Sequence, residues 1–319
     1  MGGSSIRHED MERYYEEREY VTKATNASQV FKETRMPDDF NPALIKLPRE
    51  ALDSALSPHS RAIILAEDVT GSMGKYILSL IQNEFPRLIH LIYESVQYNP
   101  HVLFAGVGDV AAGDEAPLQV TQFETDLRML NQLQRIYLEG KGGRNSYESY
   151  ILPWYFAAKH VRMDCFEKRS EKGFLFTFGD EEPTPKLTRS EIKEVFGENS
   201  SLQQTIITAE DCLELASEKF YCYHIILQGR SYDRDVVRLW RELMGSHVCD
   251  LRDHRYLPEL VSTIIKMYEG FSKTDALEKI QESKARSVVE DALKWHEEKV
   301  EGTSSNSENE DSGVSFDVF

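Results

Sequence analysis

Between Arg61 and Asp68 the chain reads RAIILAED, a short unbroken apolar run closed by two acids. A run of that length without alternation predicts a strand buried on both faces, and such a strand needs a layer above it and a layer below. Helical periodicity follows at Ile77, Leu78, Leu80, Ile81, Leu88, Ile89 and Ile92, with Pro86 placed to kink or restart the helix. HVLFAGVGDV from His101 predicts a second strand, and PLQVTQFE from Pro117 alternates like a half-exposed one. An amphipathic segment carries Leu127, Leu130, Leu133, Ile136 and Tyr137, and a later helical pattern runs through Tyr150, Trp154 and Ala158. GFLFTFGD from Gly173, YCYHIILQG from Tyr221 and SHVCDL from Ser246 read as further buried strands, separated by the helical stretches TAEDCLELASEKF and RDVVRLWRELMG. Apolar strands alternating with amphipathic helices predict an α/β fold, doubly wound, with a mostly parallel central sheet.

Residues 1–57 are polar, with Tyr14, Tyr15, Tyr20, Val30 and Phe31 too sparse for a core of their own. They predict an N-terminal arm packed on a main domain spanning 58–270. PELVSTIIKMYEG closes that domain as a helix. Residues 271–300 predict a C-terminal helix capped by Thr274 and striped by Leu277, Ile280, Val288, Ala292 and Trp295. Residues 301–319 are Ser, Asn and acid, the composition of a disordered acidic tail.

The chain carries 54 acidic residues against 37 Lys and Arg, a formal net charge of -17. Nucleic acid and anionic membrane are thereby disfavoured as main partners, since both are bound through basic surface. No apolar run approaches the length of a membrane span and no secretory h-region opens the sequence, so the expected location is the cytoplasm. Cys165, Cys212, Cys222 and Cys249 share no metal-binding spacing and read as reduced, buried thiols. His8, His90, His101, His160, His224 and His296 show no ligand spacing, and Trp154, Trp240 and Trp295 fall on helical patterns where packing accounts for them.

Ligands of an open parallel sheet bind beyond the carboxyl ends of its strands. Three of the segments expected there are polar. Glu67-Asp68-Val69-Thr70-Gly71-Ser72-Met73-Gly74 leaves the first buried strand for a helix, Gly142-Gly143-Arg144-Asn145-Ser146-Tyr147-Glu148 opens another helix, and Gly179-Asp180-Glu181-Glu182 ends the strand from Gly173. Asp68, Thr70, Ser72, Asn145 and Asp180 supply the oxygen donors that a hard cation such as Mg²⁺ takes, with water completing an octahedron.

In this order the segments resemble a von Willebrand factor type A domain over roughly residues 60–270, in the DVTGSM wording that intracellular bacterial members share. That family's metal-ion-dependent adhesion site has Asp-x-Ser-x-Ser after the first strand, matched by Asp68, Thr70 and Ser72, and an Asp after a later strand, matched by Asp180. Its Gly-Gly-x-Thr turn is altered here, with Asn145 in place of the Thr. The resemblance implies Mg²⁺ or Mn²⁺ as cofactor, Glu148 and Asp109 in support, and a protein partner that offers a carboxylate to the metal. It implies recognition without catalysis, inside assemblies built with AAA+ ATPases, kinase and phosphatase modules, or stress and phage-defence systems. A rival reading uses the same residues: Thr70-Gly71-Ser72-Met73-Gly74 differs from the G-x-S-x-G nucleophile elbow only at its first position, with Asp180 as the acid and His247 or His254 as the base of a serine hydrolase. Thr70 is β-branched where that elbow wants a small residue, and Asp68 would set a negative charge where an oxyanion must be stabilised.

Overall fold

The computed structural model describes residues 8–71, 73–96, 98–139, 147–200, 203–227 and 234–296. Six strands build the central sheet: β1 Ser60–Asp68, β2 Asn99–Val107, β3 Leu118–Val120, β4 Gly173–Gly179, β5 Phe220–Leu227 and β6 Val248–Leu251. Their spatial order is β3-β2-β1-β4-β5-β6, all parallel except β3, which runs antiparallel to β2. The fold is mixed α/β around a mostly parallel sheet. The chain reverses its direction of travel across the sheet between β1 and β4, so the carboxyl ends of these two strands flank the switch point at which such sheets open a crevice.

Every residue of β1 is buried, as its apolar run requires. Ile63 and Leu65 join a core layer with α2 (Phe85–Ser95) and α6 (Leu257–Tyr268), while Ala62, Ile64 and Ala66 join a second layer with α3 (Ile151–His160), α4 (Ala209–Ser217) and α5 (Arg234–Met244). The two layers are the covering that the sequence demanded. Pro86 has no N–H to give the carbonyl one turn earlier, and the helical run from α1 (Gly74–Ser79) into α2 accordingly passes through a π-helical turn at Leu80–Glu84.

Three local expectations change. β3 is buried at all three residues, where alternation predicted half exposure. The N-terminal residues cover it: the Val120 amide donates to the Phe40 carbonyl at 2.9 Å and Arg49 donates to the Val120 carbonyl at 3.1 Å, which closes the sheet edge. The predicted C-terminal helix is two helices, Lys273–Glu278 and α7 (Ser283–Ala292), and the cap of the first is Ser272, whose hydroxyl accepts the Asp275 amide, rather than Thr274. Residues 301–319, expected as an acidic tail, lie outside the described residues. Among the described residues no helix is long and apolar enough to cross a membrane.

Candidate metal centre

Strand alternation sends Glu67 toward the layer of Ile63 and Leu65 and Asp68 toward that of Ile64 and Ala66. Both are deep, at 6% and 0% exposure. The chain then turns at once, because the Asp68 carboxylate draws the next residues around itself. Its Oδ1 accepts the Thr70 amide at 2.8 Å and the Thr70 hydroxyl at 2.6 Å, and its Oδ2 accepts the Tyr150 hydroxyl at 3.1 Å.

Glu148 stands across from this turn, in a two-residue strand, Tyr147–Glu148, that pairs in parallel with Glu182–Pro183. The pairing holds two of the three polar segments together, reinforced by the Thr184 hydroxyl donating to the Glu148 carbonyl at 2.8 Å. The expectation that the glycine-rich segment leads straight into a helix is thus corrected, for the strand pair comes first and α3 begins at Ile151. Asp109 takes a supporting place one residue away from Glu148: its Oδ1 accepts the Ser149 hydroxyl at 3.1 Å and the Ala111 amide at 2.9 Å.

The electrostatics of these acids share one cause. Burial lifts the Asp68 carboxyl to about 7, with the charge of Asp180 adding to the rise against the lowering hydrogen bonds from Thr70 and Tyr150. Burial lifts Glu148 to about 10, helped by Asp68, Asp109 and Asp114. Glu67 is driven well above the carboxylate range by burial, then by Asp68 and Asp180. Among the described residues the charged neighbours acting on these three groups are all acids. Both carboxyl oxygens of Glu67 and Oε2 of Glu148 are buried without a hydrogen-bond partner. Burying such atoms without a partner costs free energy, most in the charged form, which a proton or a cation would relieve.

A hard divalent cation fits the chemistry of this donor set, since carboxylates and a hydroxyl converge where no base acts among the described residues. The set is not a ready-made carboxylate cage: among the described residues no three His, Cys, Asp or Glu side chains are grouped so as to hold a metal ion. Asp68 also spends its oxygens on Thr70 and Tyr150, which leaves it suited to acting on a cation through water. Of the residues expected from sequence, Asp68, Thr70 and Glu148 are brought together, Asp180 lies within electrostatic reach of Asp68 and Glu67, and Asp109 lies behind Ser149. Ser72 and Asn145 lie outside the described residues. His247, offered as a hydrolase base, precedes β6 and so sits at the amino end of the sheet, whereas Asp180 follows the carboxyl end of β4. His254 faces the Ser79 hydroxyl at 3.3 Å.

Two residues of the centre escaped the sequence reading. Glu67 carried a signal, an acid inside an apolar strand next to the residue already singled out. Tyr150 carried none, since a Tyr on an apolar helical pattern reads as packing.

No family model and no curated protein matches the chain. Among solved structures it is similar to the pilus adhesin SpaC from Lactobacillus rhamnosus GG in its open conformation, with 9% identity and a TM-score of 0.39 over 75% of this chain and 31% of the adhesin. A second structure of that adhesin gives 10% identity and a TM-score of 0.38 over 75% of this chain and 32% of the other. The chain therefore spans about a third of the length of these proteins.

Proposed function

We propose that this chain is a cation-dependent protein-recognition module of the von Willebrand factor A type, with Mg²⁺ or Mn²⁺ held by Asp68, Thr70, Ser72, Asn145 and Asp180 and with Glu148 and Asp109 behind them. The observation that carries the reading is the convergence of Asp68, Thr70 and Glu148, with Asp180 in reach, at the switch point of the sheet and with no basic residue, among the described ones, acting on the three buried acids Glu67, Asp68 and Glu148. A bound divalent cation supplies a positive charge with an open coordination position, which a carboxylate of a partner protein fills. The chain's own residues do the rest: Thr70 and Tyr150 hold the Asp68 carboxylate, and the Tyr147–Glu148 strand holds the other wall. No bond is made or broken, so the role is recognition, in a cytoplasmic assembly with an AAA+ ATPase, a kinase or phosphatase module, or a defence system.

The test is calorimetry and thermal melting of the wild type and Asp68→Ala with Mg²⁺, Mn²⁺ and EDTA, followed by pull-down under the same conditions. A ligand at about a hundred times its dissociation constant stabilises the fold by roughly 2.7 kcal/mol, a rise of several degrees. That rise is expected in the wild type and lost in Asp68→Ala. A wild-type melting curve indifferent to all three additions, with no heat of binding, would overturn the reading.

A further inference from the structure

The Tyr150 hydroxyl stands where the three polar segments meet. It donates to Oδ2 of Asp68 at 3.1 Å and lies directly against Gly179, at the start of the turn to Glu181. Its own amide donates to the Glu148 carbonyl at 2.8 Å. The Glu181 end of that turn is held by Trp240, whose indole N–H donates to the Glu181 carbonyl at 3.0 Å. Tyr150 is fully buried, edge-on to Trp240 at 5.4 Å and to His224 at 5.0 Å between ring centroids, so the ring has one seat. Gly179 makes that seat: a Cβ there would lie 1.8 Å from the Tyr150 oxygen. The last residue of β4 is therefore a glycine because the phenol occupies the space of its side chain.

We propose that Tyr150 is the positioning residue of the centre, a tether that fixes the Asp68 carboxylate to the Gly179–Glu181 turn so that the arm from β1 and the arm from β4 keep one relation before any cation arrives. This rests on the cation-dependent reading above. Asp68 has its Oδ1 oriented by Thr70 from within its own turn, a bond that travels with the turn and carries no information about β4. The Tyr150 bond to Oδ2 comes from a different element, and the same oxygen is wedged against Gly179 at the start of the turn that bears Asp180. Removing the hydroxyl frees the carboxylate to rotate and leaves a gap beside Gly179 that loosens the Gly179–Glu181 turn, while the ring stays to fill its seat. Partners that orient metal-binding groups from behind are worth roughly 10- to 100-fold in affinity.

The test uses the full chain as wild type, Tyr150→Phe and Tyr223→Phe, the last removing a buried hydroxyl that bonds Tyr268 and His296 instead. Mn²⁺ affinity is read from the electron-spin signal of the free ion, and exchange of the Glu181 amide is read in EDTA. In Tyr150→Phe, Mn²⁺ binding should weaken about tenfold or more, the Glu181 amide should exchange faster, and neither should move in Tyr223→Phe. Unchanged Mn²⁺ affinity in Tyr150→Phe, with the wild type binding, overturns the tether and leaves the metal reading standing. Failure of the wild type to bind Mn²⁺ sinks the metal reading instead, and the exchange arm then decides the tether: unchanged exchange at Glu181 removes it, and faster exchange confined to Gly179–Glu181 keeps it.

Discussion

Strand β1 joins two ends of the molecule that contain the same kinds of residue and treat them oppositely. At its amino end Arg61, 5% exposed, pairs with Glu171 at 3.5 Å and Glu269 at 3.4 Å, and Asp53 takes Arg169 at 2.8 Å together with the amide and hydroxyl of Ser60. Burial works to raise Asp53, but the Ser60 amide, Arg169 and the Ser60 hydroxyl outweigh it and hold the carboxyl well below its ordinary range. At the carboxyl end Asp68, Glu148 and Glu67 are deeper than Asp53, have only acids as charged neighbours among the described residues, and are all driven upward. The contrast is between a carboxylate whose bases and hydrogen bonds outweigh its desolvation and deep carboxylates whose desolvation wins.

The largest effect that could break this contrast lies at the amino end. Arg61→Met leaves two acids around a vacated buried charge, and removing one partner of a buried ion network costs about 3–5 kcal/mol. Urea unfolding should show a loss of that order. A loss under about 1 kcal/mol would mean that the amino-end network is as dispensable as surface pairs are, and the contrast with the carboxyl end would lose its meaning.

Glu67→Met is the reciprocal experiment. It removes two buried oxygens without partners at nearly constant volume, so it should stabilise the cation-free protein, by about 1–3 kcal/mol on the scale of unsatisfied buried groups. Because Glu67 faces the layer opposite Asp68, the stabilisation by Mg²⁺ should survive the change. Destabilisation would show that the carboxyl does have work in the resting fold.

Asp68 and Asp53, one at each end, answer pH with opposite signs. Asp68 binds its proton more tightly folded, at about 7, than unfolded at the ordinary 3.8, so the stability it contributes is fully present below the unfolded value and is lost as pH rises through that window; Glu148, at about 10, continues the loss into alkali. Asp53, held low, contributes stability above its unfolded value of 3.8 that is lost as pH falls below it. In EDTA the unfolding free energy should therefore decline from pH 5 to 7, by up to roughly 1.4 kcal/mol per pH unit for each group titrating. Asp68→Asn should make the decline shallower by one group's share, and Mg²⁺ should reduce it. A stability that rises over that range would contradict the pairing pattern at the carboxyl end.

Much of the fold was legible in the sequence because a strand buried on both faces cannot hide: RAIILAED, GFLFTFGD and YCYHIILQG gave the parallel sheet without reference to anything distant. What failed depended on distant chain. β3 looked half-exposed because nothing near Pro117 announces that Phe40 and Arg49 cover it, and Ser272 outcompetes Thr274 as a cap through one hydrogen bond to Asp275. Asp68, Thr70 and Glu148 were singled out in the sequence, the first two by their spacing and Glu148 by the family resemblance, and the structure brings the three together. Tyr150 was not, for its role comes from standing opposite a glycine on another strand, a relation that exists only once β1, β4 and α3 have packed.

The smallest expected effect checks that burial, and not the presence of a base, separates the two ends. Arg162 lies beside the amino-end network and makes similar contacts, to Glu167 at 3.0 Å and Glu50 at 3.4 Å, but its side chain is 50% exposed and those of its partners 44% and 47%. Water screens all three charges and solvates each if the others leave, so holding two long side chains in place offsets most of the attraction. Arg162→Ala should leave the unfolding free energy unchanged within the error of urea unfolding, far from the loss expected for Arg61. If it costs as much as Arg61→Met, acid–base pairing rather than desolvation controls stability at this end. The unpaired acids at the other end would then have to be explained by their lack of partners alone, whether or not they are buried.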